Sequence, residues 1–331
     1  MIERVFALAL ALAAPVFVAP MFALFPASAC AQGAYPTRPV KLVVGAAPGG
    51  NVDITARIAA KRVAEIIGQP IVVDNRAGAG GAVAFNFVRQ AAGDPYTLLM
   101  VPTGFTTGVA LNPNAGYDPV RDFTAVSTVS LFAYAFAVGT QSPYSSLRDL
   151  VAASRTQPGK LAYGTGGVGS GQHLVAELFS AAAGVQWLHV PYKGGTAPMT
   201  DVISGQLPML IEIESVLAPQ AKGGKIRVLA TTGPARSTLL PDVPTVAESG
   251  FKDFVVQGWL GIVAPKGIPG DVVAKLNAAI RQAVVDAETV AAIEKGGAVP
   301  RASSAEEFAS LIENDTRRWA KLVRDANIQV Q

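Results

Sequence analysis

Ser170 and His173 set a hydroxyl and an imidazole three residues apart, the first pair in this sequence able to do covalent chemistry. A catalytic reading would make Ser170 a nucleophile and His173 its base, and it needs a buried acid beside His173 that the sequence does not identify. The pair also straddles a helix start, so Ser170 is read as the N-cap and His173 as its first-turn partner. Gly164-Thr-Gly-Gly-Val-Gly169 spells a dinucleotide fingerprint between a strand and a helix. That motif calls for an acidic residue about 20 positions on, at the end of the next strand. Before Asp201 there is only Glu177, inside the helix, and the strand Trp187–Val190 runs into Pro191-Tyr-Lys193. The nucleotide reading is set aside. His189, in that apolar strand, is read as a buried hydrogen-bonding residue. Two histidines and one cysteine, Cys30, leave no ligand set for zinc. No metal and no cofactor are expected.

What remains is chemistry done by the main chain. Lys41–Val44 is a short β-branched run, and Ala46-Ala-Pro-Gly-Gly50 cannot continue a strand. Asn51 stands where an N-cap belongs, and Ile54, Ile58, Ala59, Val63 and Ile66 follow at helical spacing until Gly68. A strand, a glycine turn and a helix start leave backbone N–H groups unpaired at the positive end of the helix dipole, which is a site for an anion. The device recurs. Lys160–Tyr163 is the strand, Gly164–Gly171 the turn, and Gln172–Ala183 the helix, with Leu174, Leu178, Ala181 and Ala182 on one face and Gly184 as the stop. One unit per lobe, with a small acidic solute between them, is the arrangement this implies.

Other candidates surround these turns. Ala47, Pro48, Gly49 and Gly50 on one side, and Thr165, Gly166, Gly169 and Ser170 on the other, are the expected main-chain donors and loop residues. Thr103 and Thr106, after the strand Thr97–Val101, are side-chain candidates. Asp53 either complements the helix dipole or enters the pocket, receiving a ligand ammonium or ordering water. Glu212 ends an apolar strand and should face water, a cation or the cleft. Trp259 is read as the pocket wall, with hinge packing as the other reading.

Residues 1–31 are expected to be removed. Met1–Arg4 is charged, Val5–Phe25 is apolar, and Ala27-Ser-Ala-Cys-Ala31 offers cleavage after Ala29 or Ala31. A membrane anchor is long enough but interrupted by Pro15 and Pro20, and a lipid on Cys30 would follow Ala27 where leucine is usual. About 300 residues then remain, the size at which one core divides into two lobes. The net charge of +3 in 331 residues, without a basic block, gives no case for nucleic acid.

Along the chain, Ile71–Asp74 is the second strand, Ala82–Ala92 a helix, and Asn112–Phe123 an irregular connector. Ala125–Ser130 and Ala133–Val138 lead out of the first lobe. Ser146, Thr245 and Ser304 open capping boxes. Ala197–Ser204 is a helix, and Met209–Ile213 and Ile226–Thr231 are strands. Phe254–Val263 is the return crossing, Asp271–Val285 a helix, and Phe308, Leu311, Ile312, Trp319, Leu322 and Val323 stripe the last helix. Alternating strands and helices specify class α/β.

At these residues the chain resembles the periplasmic solute-binding proteins of tripartite tricarboxylate transporters, the Bug family. The matching residues are Tyr35-Pro-Thr-Arg-Pro39, Ala47–Gly50 with Asp53, Asn75-Arg76 with Gly78–Gly81, and Tyr96–Leu99. Gly167–Ser170 with Gln172-His173, His189–Gly195 and Leu240–Glu248 follow in order. The resemblance implies a two-lobed, type II-like binding fold in which each lobe is a sheet flanked by helices. Lobe 1 would be 32–131 with 260–331 and lobe 2 136–252, with crossings near 132–138 and 252–262. It implies a monomer that closes on a small mono-, di- or tricarboxylate, held by backbone N–H groups, hydroxyls and waters, and delivers it to membrane permease subunits. Gly45 and Ala46 stand where the family favours a proline and an aromatic residue. Glu212-Ile-Glu214, after Pro208, replaces an Asp-Asn pair, so the pocket floor differs. The alternatives are a ligand-binding module for a sensor kinase and a periplasmic hydrolase using Ser170.

Overall fold

A computed structural model describes residues 35–192, 197–296 and 298–328. The expected leader, Cys30 and Lys193 lie outside the described residues. Three parallel strands come first: β1 (Val40–Val44) lies between β2 (Ile71–Asn75) and β3 (Thr97–Pro102). A second parallel set places β5 (Ala162–Thr165) between β6 (Leu188–Pro191) and β7 (Met209–Ile213). Two long antiparallel strands join the sets, β4 (Phe123–Gly139) and β9 (Gln257–Pro265). β9 pairs with β3 on one side and β4 on the other. The far half of β4 pairs with β7 and with β8 (Ile226–Thr231). The two apolar runs read as separate strands are therefore one, shared by both halves of the sheet. Register shifts at Ala125/Ser127, Thr128/Ser130 and Phe136/Ala137 re-aim it along its length.

Helices cover both faces, as parallel strands require. α1 (Asn51–Ile67) begins one residue earlier than Asn51 as N-cap would allow, because Gly50 is the cap, at φ −78° and ψ 166°. Its buried stripe is Ala56, Ala59, Ala60 and Val63 with Asp53, while Ile54 is exposed. α2 (Ala82–Arg89) follows a single 3₁₀ turn, Ala79–Gly81. Gly45 meets that turn closely: a Cβ there would stand 3.0 Å from Gly81 Cα. α4 (Leu147–Thr156) carries the expected capping box at Ser146. α5 (Gly171–Ala183) buries His173, Leu174, Val175, Ala176, Phe179 and Ala183, so the apolar face is rotated from the expected one and Ala181 and Ala182 face solvent.

Three helices were not expected. α3 (Gly104–Leu111) has a sequence poor in helix formers, Gly-Phe-Thr-Thr-Gly-Val-Ala-Leu, and is held by burial of Phe105, Thr106 and Thr107. α7 (Glu214–Lys222) follows α6 (Ala197–Ile203) and β7 directly and contains Pro219. After α8 (Gly270–Ala283) the apolar run does not reach Val285; Asp286 caps a separate α9 (Ala287–Lys295). The box at Thr245 and Glu248 forms both reciprocal bonds yet closes only a turn. β10 (Val299–Pro300) joins β4, and α10 (Ala305–Asp325), capped by Ser304, buries Phe308, Ile312, Trp319 and Leu322. Phe308 packs where a side chain on Gly261 would stand, which lets α10 lie close on β9. The class is α/β, two sheet halves flanked by helices, with the C-terminal ends of β1, β3, β5 and β7 carrying the turns of interest.

Candidate functional site

The first turn is held from beneath by Asp53. Its carboxylate is 2 % exposed and accepts from four donors. Oδ2 takes the Gly49 N–H at 2.8 Å and Arg57 Nε at 3.0 Å; Oδ1 takes Arg57 Nη2 and Asn75 Nδ2, both at 2.9 Å. Asn75 also donates to Ala46 O at 3.0 Å and accepts from Arg57 Nη2 at 2.9 Å. β1 pairs Val44 with Asn75, so Asn75 stands beside the strand end from which the turn departs. The hydrogen bond from Arg57 draws the Asp53 carboxyl down to about 2 against the opposing effect of burial, with Gly49 and Asn75 adding to the pull. The four bonds tie Asp53 to the turn, which it shapes from beneath. Gly49 has φ +84°, the left-handed region, whereas Gly50 is in ordinary extended backbone. Ala47, Pro48, Gly49 and Gly50 are exposed, and the N–H groups at the head of α1 have no intrahelical acceptor.

The second turn is held by two histidines. His173 Nδ1 accepts the Gly169 N–H at 3.0 Å, and His189 Nε2 lies 2.7 Å from Thr165 Oγ1. The two imidazoles stack at 3.9 Å and 11°, and Tyr163 stacks on His189 at 5.0 Å. Tyr163 donates to Glu177 Oε1 at 2.6 Å beneath them. Burial brings both histidines down to about 4, with the charge of His189 adding to the effect on His173. Ser170 Oγ accepts the His173 backbone N–H at 3.2 Å, the N-cap that was expected. Since His173 Nδ1 takes an N–H from Gly169, that nitrogen carries no proton and is occupied, and the pair has no nucleophile–base contact. Thr165, 1 % exposed, also accepts the Gly167 N–H at 3.2 Å; its side chain is a post for the turn. Gly166 lies half-buried in the bend that follows. Gly169 has φ +78°, and a Cβ there would come 2.5 Å from Leu111 Cδ1. The end of α3 therefore touches the second turn.

Three expected contributors belong to the scaffold instead. Thr103 Oγ1 accepts the Trp259 N–H at 2.8 Å and ties the end of β3 to β9. Thr106 donates to Thr103 O at 2.9 Å inside α3. Trp259 is 1 % exposed, donates through Nε1 to Asp315 at 2.8 Å, and meets Phe308 edge-on. All three side chains are buried and spend their hydrogen bonds inside the scaffold. Glu212 does end β7 half-buried, as expected, with Oε1 accepting Gln172 Nε2 at 2.8 Å and the Ile213 N–H at 2.7 Å. Burial raises its pKa. Sequence reasoning missed Arg57, Asn75, Gln172 and Leu111. Arg57 sits four residues after Asp53 and was legible as a helical ion pair; the others depend on which strands and helices meet.

A cavity of 410 Å³ lined by Gly139, Tyr144, Val202 and Leu207 among others holds no charged side chain. It lies at the end of β4 that pairs with the start of β7. Among the described residues no cluster of histidine, cysteine or carboxylate side chains could hold a metal.

The family model of the tripartite tricarboxylate transporter receptor (TctC) matches residues 55–328. A curated relative from Pseudomonas sp. strain P51, a UPF0065 protein in the tcbD-tcbE intergenic region, is 36 % identical over 291 residues, 88 % of this chain and 87 % of its own. Protein BugT of Bordetella pertussis is 32 % identical over 299 residues, 90 % of this chain and 92 % of its own. Among solved structures, the periplasmic binding protein BugD superposes with a TM-score of 0.73 at 32 % identity, covering 90 % of this chain and all of that one. Rpa4515 of R. palustris, solved with adipate, gives 0.76 at 33 % identity, covering 89 % and 99 %. With two glycine turns presenting main-chain donors on the same scaffold, this chain belongs to the tripartite tricarboxylate transporter receptor family.

Proposed function

We propose that this protein is an exported receptor that captures a small carboxylate between two lobes and delivers it to the permease subunits of a tripartite tricarboxylate-type transporter. The carrying observation is that each glycine turn is fixed from behind by its own side chains, Asp53 in one and His173 with His189 in the other. The solute-facing work is thereby left to backbone donors at two helix starts. Rpa4515 was solved with adipate, which supports a carboxylate here. The lobes are 32–131 with 260–331 and 136–252, moving about the crossings near 132–138 and 252–262, and the working form is a monomer in the periplasm after loss of residues 1–31. Among the described residues no helix is long and apolar enough to cross a membrane. The occupied imidazole of His173 argues against a hydrolase.

Calorimetry on the mature chain with hexanoate, succinate, adipate and citrate tests the reading. At least one should bind, and at 100 times its dissociation constant should add about 2.7 kcal/mol of stability. Failure of every carboxylate to bind, or ester hydrolysis abolished by Ser170→Ala, would overturn it.

A further inference from the structure

We propose that Glu212 selects, among carboxylates, those whose far end carries an ammonium group. The proposal rests on the function above and narrows its solute class. Glu212 stands at the C-terminal end of β7, beside the start of α5 and the second glycine turn, since its partner Gln172 is the second residue of that helix. C-terminal strand ends of this kind are where open α/β sheets bind their ligands. The two donors to Oε1 fix the carboxylate in one orientation. Oε2 receives no donor among the described residues, and it is not among the fully buried side-chain atoms that lack a partner. It is an acceptor that the described residues leave open, and the bonds to its twin fix where it stands.

Among the described residues no cation pairs with it. The phenol of Tyr134 senses Glu212 together with Asp315 and Arg318, so Arg318 shares these surroundings. Arg318, however, is held by Asp315 through Nη2 and Oδ1 at 2.8 Å, and Asp315 is further fixed by Trp259. Burial raises the pKa of Glu212, as it does for any carboxylate that loses water. Closure of a cleft on Glu212 removes more water from Oε2, which is unfavourable unless the guest brings a donor. A second solute carboxylate brings like charge instead. An ammonium brings three donors and the opposite charge. The solute then lies with its carboxylate toward a glycine turn and its ammonium toward Glu212.

Matched pairs decide it: 6-aminohexanoate against adipate and 4-aminobutanoate against succinate, with 6-hydroxyhexanoate as an uncharged donor. By calorimetry the amino member should bind the wild type at least about tenfold tighter than its diacid at one length or both. In Glu212→Gln the ratio should fall to within about threefold, by weaker binding of the amino member and unchanged or tighter binding of the diacid. Diacids binding as well as amino members would overturn the proposal and leave the receptor reading intact. A hydroxy analogue equal to the amino one would overturn the ammonium assignment. No binding by any of the five would overturn the proposal, and failure of hexanoate and citrate as well would overturn the receptor reading. Should Glu212→Gln fail to fold, the wild-type ratios alone decide.

Discussion

Asp53 spends its carboxylate on holding the first glycine turn, and its loss should weaken solute binding. Replacing it with alanine removes the acceptors of four hydrogen bonds at once. Arg57 is 52 % exposed and regains water, so its two bonds return little of their strength as destabilisation. Asn75 keeps its bond to Ala46 O. The Gly49 N–H loses the one partner it has among the described residues, and with it goes the restraint on a residue in the left-handed region. Bonds to a charged acceptor contribute about 1.5–3 kcal/mol each when buried, and this discounted set should sum to about 2–3 kcal/mol. For a domain of this size that lowers Tm by roughly 3–6 °C.

The same change disorders the Ala47–Gly50 turn, so affinity should fall by about tenfold or more through lost pre-organisation. Asp53→Asn separates shape from charge. It keeps one acceptor but turns an amide toward donors, so it should behave more like the alanine variant than the wild type. Differential scanning calorimetry and binding of the tightest carboxylate give the two numbers. Unchanged affinity in both variants, with Tm lowered as expected, would show that the turn does not carry the site.

The glycines make a second set. Gly49→Ala enters open space but at φ +84°, so it should destabilise by about 1–2 kcal/mol, whereas Gly50→Ala should be near neutral. Gly169→Ala adds the clash with Leu111 to the same strain and should be the worst of the three, with part of the loss restored in a Gly169→Ala, Leu111→Ala double variant; equal effects across all four would refute this. Acid titration is the remaining test. His173 and His189 bind protons in the unfolded chain near 6.5 and in the folded one only near 4, so stability is full above that window and is lost as pH falls through it. Asp53 acts lower, between 3.8 and about 2, while the raised carboxyl of Glu212 works in the opposite direction. The difference between wild type and His173→Gln by urea melts should therefore shrink from pH 7 to pH 4, and a constant difference would count against a neutral buried imidazole.

Local chemistry was legible and long-range pairing was not. The capping boxes at Ser146 and Ser304, and the boundaries of β7 and β8, follow from a few adjacent residues. The N-cap role of Ser170 was legible for the same reason. Thr103 and Thr106 were read from a polar turn after a strand, which looks like a ligand loop. The bond of Thr103 to β9, which arrives beside β3 from far along the chain, could not be read there. Trp259 misled in the same way, since its partner Asp315 lies on α10. α3 could not be read from propensity because tertiary burial of Phe105 overrides two glycines and two threonines.

Both supports beneath the turns are titratable, and both titrate below neutral pH, one held charged and the other uncharged. Asp53 is fixed as an anion by Arg57, and the histidine pair is fixed neutral by burial. Neither changes charge between pH 5 and 8, so the turns keep one geometry and one set of free donors across that range. An anion bound by main-chain dipoles alone gains no titrating partner either. The two supports therefore contribute no pH dependence of affinity in this interval. For a solute with no titration of its own there, a difference between the pH profiles of the wild type and Glu212→Gln would mark that residue as facing the guest.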